Sequence, residues 1–120
     1  VKNILVVDDS RSMRQMLSFT LQQSGYRVIE AADGVEALEL VAQTSFDLIL
    51  TDQNMPRMDG LTLIEDLRRK SAYNAVPLLV LTTESGAEMK ARARAAGANG
   101  WIVKPFDPQS LISTVVRMIG

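Results

Sequence analysis

Three stretches of this chain, "NILVVD", "FDLILTD" and "PLLVLTT", are apolar at successive positions instead of alternate ones. A strand with one wet face alternates. A strand apolar on both sides must be covered on both sides, which is the condition of a parallel sheet flanked by helices. Two further short runs, "YRVIEA" and "GWIVK", share the enrichment in β-branched residues, and longer stretches with helical spacing separate or follow the five runs. This β-then-α alternation predicts right-handed crossovers and an open, doubly wound α/β sheet of five parallel strands with helices on both faces.

The helices carry their own boundary signals. Asp33 with Glu36 and Ser85 with Glu88 have capping-box spacing, and Asp107 stands before a first-turn proline, Pro108. Gly25 and Gly97 supply C-terminal stops. Met13, Met16, Leu17, Thr20 and Leu21 form the expected buried face of the first helix, and Leu111, Ile112, Val115 and Ile119 that of the last. The fourth helix, "AEMKARARAA", offers Met89 and alanines but no large apolar anchor, so it is expected to be loosely held.

Composition removes several kinds of chemistry. At 120 residues the chain has the size of one domain, and 47% hydrophobic residues suffice for its core. A net charge of -1 argues against general attraction to nucleic acid or membrane surfaces. With neither cysteine nor histidine, thiolate sites, disulfides, His-based metal sites and Ser/His/Asp catalysis are excluded. Chemistry must then rest on carboxylates, hydroxyls, lysine or a bound ion. No apolar run approaches a membrane span and the first residues lack a signal-peptide pattern, so the chain is expected to be soluble and cytoplasmic.

What remains is concentrated at strand ends. Asp8 and Asp9 end the first strand, Asp52 the third, Thr82 and Thr83 the fourth and Lys104 the fifth. In an open α/β sheet the carboxyl edge is where ligands bind. If the first and third strands are neighbours, three carboxylates share one crevice with a hydroxyl and an ammonium. Two carboxylates about 4 Å apart repel by about 4 kcal/mol at an effective dielectric near 20, and a cation is the simplest remedy. Oxygen-only ligands select a hard ion, and two or three carboxylates plus water suit Mg2+ better than Ca2+. Such a site would let a carboxylate attack a phosphoryl group while Lys104 and Thr82 meet its oxygens. Taken singly, each acid is equally consistent with a helix cap and Lys104 with a surface ion pair; it is the shared edge that distinguishes them.

"ILVVDDSRSMR", "DLILTDQNMPRMDG", "VLTTES" and "GWIVKPF" resemble, in order and over essentially all of residues 1–120, the signature segments of response-regulator receiver domains, particularly the stand-alone chemotaxis type. The resemblance implies a flavodoxin-like sheet of order 2-1-3-4-5 with five helices. It implies that Asp52 is the phosphoacceptor, that Asp9 and Asp52 ligate Mg2+ directly, that Asp8 acts through water and that the Asn54 carbonyl completes the set. Lys104 would contact the phosphoryl oxygen, Thr82 would be the switch hydroxyl, and the Lys104–Pro105 bond would be cis, an isomer proline permits at modest cost. Trp101 stands at the switch aromatic, usually Tyr or Phe. Gln53, Asn54 and Glu84 would surround Asp52, the last two matching choices associated with a short phosphoryl lifetime.

The implied function is a two-component signalling switch that catalyses only its own phosphorylation and dephosphorylation. A chain without histidine must take its phosphoryl group from elsewhere, and the resemblance names a histidine kinase. The output face would be the fourth helix, fifth strand and fifth helix. Lys90 and Arg94, four residues apart, would form there either a solvated face or a basic stripe for an acidic partner. The implied partners are a target protein such as a flagellar motor component and, in some members, a phosphatase, with no direct nucleic-acid contact and no membrane insertion. Two other readings stay open: the receiver part of a larger DNA-binding regulator, and an aspartate-nucleophile phosphohydrolase, which would want a DxD arrangement and a cap.

Overall fold

The computed structural model describes residues 1–120. It comprises β1 (Asn3–Val7), α1 (Arg11–Gln23), β2 (Arg27–Ala31), α2 (Gly34–Gln43), β3 (Leu48–Asp52), α3 (Gly60–Arg68), β4 (Leu78–Thr82), α4 (Ala87–Ala96), β5 (Gly100–Val103) and α5 (Pro108–Ile119), with a single 3-10 turn at Ser71–Tyr73. All pairings are parallel and the strand order is β2-β1-β3-β4-β5, as the resemblance implied.

The doubly apolar runs explain the layering. On one face Leu5, Val7, Ile49, Leu78 and Val80 meet Ala37 and Val41 of α2, four residues of α3, and Met89, Ala93 and Ala96 of α4. On the other, Ile4, Val6, Leu48, Leu50, Leu79 and Leu81 meet Leu17 and Leu21 of α1 and Leu111 and Val115 of α5. The central strands β1, β3 and β4 are thus sealed from both sides, while the edge strands β2 and β5 are only half-buried. Gly97 ends α4 at φ 106, a left-handed conformation that glycine adopts without the usual Cβ penalty.

Two local expectations are corrected. The buried side of α1 runs through Leu17, Ser18 and Leu21, with Met13 and Arg14 half-buried, whereas Met16 is 54% exposed and Thr20 turns its hydroxyl back to the Met16 carbonyl at 2.9 Å. The stripe is rotated because a serine can be buried when its hydroxyl is satisfied, and Ser18 donates to Glu30 at 2.9 Å. At α4, Gly86 and not Ser85 is the N-cap, and no side chain caps the helix. Asp33 and Asp107 behave as expected, accepting from the N–H groups of Glu36 and Ser110. Glu36 reaches back to the N–H of Ala32, one residue before the cap.

Candidate functional site

Parallel strands all finish at the same edge, so residues distant in sequence meet there by register. Val7 is paired with Thr51, Asp52 with Leu81 and Thr82 with Val103, which brings Asp8, Asp52, Thr82 and Lys104 to adjacent strand ends. Carboxylate oxygens of Asp8, Asp9 and Asp52 lie within 4.8 Å of one another. Asp8 and Asp52 are buried, with 1% and 3% of their surface exposed, and Asp9 is exposed.

Lys104 is the one cation among them. Its Nζ is 2.7 Å from Asp52 Oδ1 and 3.9 Å from Asp8 Oδ2. Those same two oxygens are buried without an aligned hydrogen bond, so Lys104 offsets their charge without satisfying their acceptor capacity. Burial pushes the Asp8 carboxyl above its ordinary range; the negative charge of Asp52 adds to this, against the N–H of Ser10, which donates to Asp8 Oδ1 at 2.9 Å, and the charge of Lys104. An orphaned pair of buried carboxylate oxygens, a third carboxylate open to solvent and no soft donor fit a hard divalent cation such as Mg2+. The Lys104–Pro105 peptide is cis.

The remaining predicted residues fall around this cluster. Thr82 is fully buried, and its hydroxyl accepts from the N–H of Glu84 at 3.1 Å. Trp101 is paired with Val80, so it shares one face of the sheet with Thr82 as a diagonal neighbour, and Lys90 Nζ sits 5.3 Å from its ring centre. Asn54 and Glu84 are exposed at the rim. Gln53 differs from the expectation: instead of facing the cluster, its buried amide accepts from Leu61 N–H at 2.8 Å and donates to Asp59 at 3.3 Å, clipping the turn after Asp52 to the start of α3.

That turn tolerates little change. A Cβ at Gly60 would stand 2.3 Å from the Asp52 carbonyl oxygen, so only glycine permits α3 to begin against the end of β3. Arg57, at φ 70, takes a left-handed conformation in the loop and pairs with Asp33 at the start of α2. Arg14, which sequence analysis passed over, donates to the Asp8 carbonyl at 2.7 Å. No sequence period marks Arg14 or Gln53, because each acts through a contact to main chain or to a distant residue.

A family model described as the response regulator receiver domain matches residues 4–116. The chemotaxis protein CheY1 of Helicobacter pylori is 43% identical over 119 residues, covering 98% of this chain and 96% of that one. The structure of the Vibrio cholerae chemotaxis protein CheY4 superimposes with a TM-score of 0.95 at 47% identity, covering 98% of each chain. The receiver domain of a sensor histidine kinase from Pseudomonas aeruginosa, described with a magnesium ion coordinated in its active-site cleft, aligns at 29% identity and a TM-score of 0.91, over 99% of this chain and 98% of that one. Together with the acid-lined strand edge, these findings establish that the chain belongs to the response regulator receiver domain family.

Proposed function

We propose that the chain is a phosphorylation-activated switch in which Asp52 accepts a phosphoryl group from a histidine kinase. The observation that carries this reading is the placement of Lys104 within 2.7 Å of Asp52 and 3.9 Å of Asp8, in a cluster otherwise made of carboxylates. Asp8, Asp9, Asp52 and the Asn54 main chain would hold Mg2+, which when bound supplies charge neutralisation for a phosphoryl group and its donor.

This chain's own residues do the rest. An Asp52 carboxylate oxygen forms the new bond to phosphorus as the nitrogen–phosphorus bond of a phosphohistidine breaks. The electron pair leaves with the imidazole, which takes a proton from solvent. The Lys104 ammonium, already against Asp52, is placed to pair with a phosphoryl oxygen. The new group brings roughly two negative charges and strong acceptor oxygens beside Thr82. Rotating the Thr82 hydroxyl toward them would exchange its contact with Glu84 N–H for a charge-assisted bond and vacate space on the face that Trp101 shares. Hydrolysis by water would reset the switch. The exposed Asn54 and Glu84 leave that approach open, consistent with a short phosphoryl lifetime.

The similarity to chemotaxis proteins supports a cytoplasmic role in chemotaxis or motility, with a flagellar motor component as the target and a phosphatase as a further partner. The test uses Trp101, the single tryptophan, as the reporter. Its fluorescence should change when Mg2+ and beryllofluoride are added to the parent and stay constant in Asp52→Asn. Equal responses in both proteins, or steady turnover of small phosphate esters in place of one labelling event per chain, would overturn the reading.

A further inference from the structure

The least restrained member of the acid cluster is Asp9. It is exposed, and no hydrogen bond holds its carboxylate, yet it would be a direct ligand of the cation. The only fixed part of its placement is the direction of its Cα–Cβ bond, which the two flanking peptide planes set. The plane after it is held where Ser10 N–H donates to Asp8 Oδ1 at 2.9 Å. The plane before it is held where the Arg14 guanidinium donates to the Asp8 carbonyl at 2.7 Å.

Arg14 is itself held from behind. Its Nε lies 3.2 Å from Glu30 Oε1 on β2, and the other oxygen of Glu30 accepts from the Ser18 hydroxyl at 2.9 Å. Glu30, whose side chain is 37% exposed, joins two more buried partners, the Arg14 side chain at 16% and Ser18 at 5%. Arg14 and Ser18 lie four apart on the flank of α1 that packs toward β2, and the first turn of that helix is tied down by the Ser10 cap. A planar guanidinium can donate to a carbonyl and a carboxylate together in a fixed fork, which a lysine ammonium on a flexible stem does not reproduce.

We propose that Arg14, oriented by Glu30 and Ser18, is a positioning residue for the cation site: it holds the Asp8–Asp9 peptide plane and so aims the Asp9 carboxylate. The inference rests on the reading of the acid cluster as a divalent-cation site and adds to it the device that pre-organises its most mobile ligand.

Charge makes the test sharp. Removing a positive side chain near a cation site strengthens cation binding if Coulomb energy alone matters. Removing a residue that orients a ligand weakens it, and losing such a partner costs about 10-fold or more in metal affinity. Mg2+ binding to the full chain is measured by titration calorimetry for the parent, Arg14→Gln, Arg14→Lys, Glu30→Gln and Arg27→Gln, with a thermal melt of each. Arg27 is an exposed residue at the start of β2, at the opposite end of the sheet, and matches the change in net charge.

The expected result is about 10-fold weaker binding in Arg14→Gln, partial recovery in Arg14→Lys, a smaller loss in Glu30→Gln and no loss in Arg27→Gln. Affinity in Arg14→Gln equal to or tighter than the parent's would overturn the inference. If Arg14→Gln melts below the assay temperature, Arg14→Lys decides, because it keeps the charge and changes only the geometry, and an affinity there equal to the parent's would overturn the inference. A parent that binds no Mg2+ would overturn the cation-site reading, and the inference with it.

Discussion

Asp8→Asn should make the metal-free protein more stable, although it removes a residue from the centre of the site. Asp8 exchanges two Coulomb contacts that nearly cancel. Against Asp52, no more than 4.8 Å away, the repulsion at an effective dielectric near 20 is at least about 3.5 kcal/mol; toward Lys104, at 3.9 Å, the attraction is about 4.3 kcal/mol. What remains is the cost of holding a charge that is 99% out of solvent, several kcal/mol for a buried carboxylate. The Ser10 N–H offsets part of this, but an asparagine oxygen accepts the same hydrogen bond. The raised carboxyl of Asp8 has the same sign, since the folded protein favours its neutral form. A gain on the order of 2 kcal/mol follows, or about 8 °C in Tm for a domain of this size. Thermal melts in a chelating buffer measure it. Adding Mg2+ to about one hundred times the parent's Kd should stabilise the parent by about 2.7 kcal/mol and the variant by less, closing the gap. A variant no more stable than the parent in chelator would refute the argument that Asp8 is an uncompensated charge, and a gap indifferent to Mg2+ would detach Asp8 from the ion.

Arg68 donates to the carbonyls of Gly97, Tyr73 and Val76 and to Asn99 Oδ1, all within 2.9 Å, with no carboxylate partner. Arg68→Met should lower stability to urea by about 3 kcal/mol, since each abandoned acceptor carries a penalty, and a loss under 1 kcal/mol would show that water replaces the guanidinium freely. Asp33→Ala removes a cap worth about 1 kcal/mol. Because the Glu36 N–H and then Arg57 hold the Asp33 carboxyl below its ordinary 3.8, its contribution is complete above that value and declines as pH falls through the lower folded-state value. The stability difference between parent and variant should therefore be constant from pH 5 to 8 and shrink in acid, and a difference that grows in acid would reverse the assignment. Amide exchange should be faster in α4 than in α5, and fastest at its first turn, where Gly86 offers no cap, while Arg68 grips the Gly97 end. Uniform high protection across Ala87–Ala96 would contradict this.

Much of the fold was legible because parallel strands advertise themselves. Leu48, Ile49 and Leu50 are apolar without alternation, which only a strand covered on both faces can sustain, and the acids and lysine that follow such runs were bound to reach one edge. The rotated stripe of α1 was not legible. Ser18 counts as polar in any periodicity, and its burial depends on Glu30, which reaches it from a neighbouring strand. The cap of α4 was misplaced by one residue because Ser85 and Glu88 satisfy the spacing rule while the turn after β4 closes later.

By itself, the order of residues along the chain determined the class of fold, the edge where function collects and the acid set that can collect there, since these follow from period, strand termini and residue type. The tertiary structure alone decided that Asp8 and Asp52 keep orphaned oxygens facing Lys104, that Gln53 serves the turn and not the crevice, and that Arg14 braces the loop before Asp9. Those outcomes depend on hydrogen bonds and burial between residues brought together by packing, and a pair energy that varies with distance and exposure is not written in the spacing of letters.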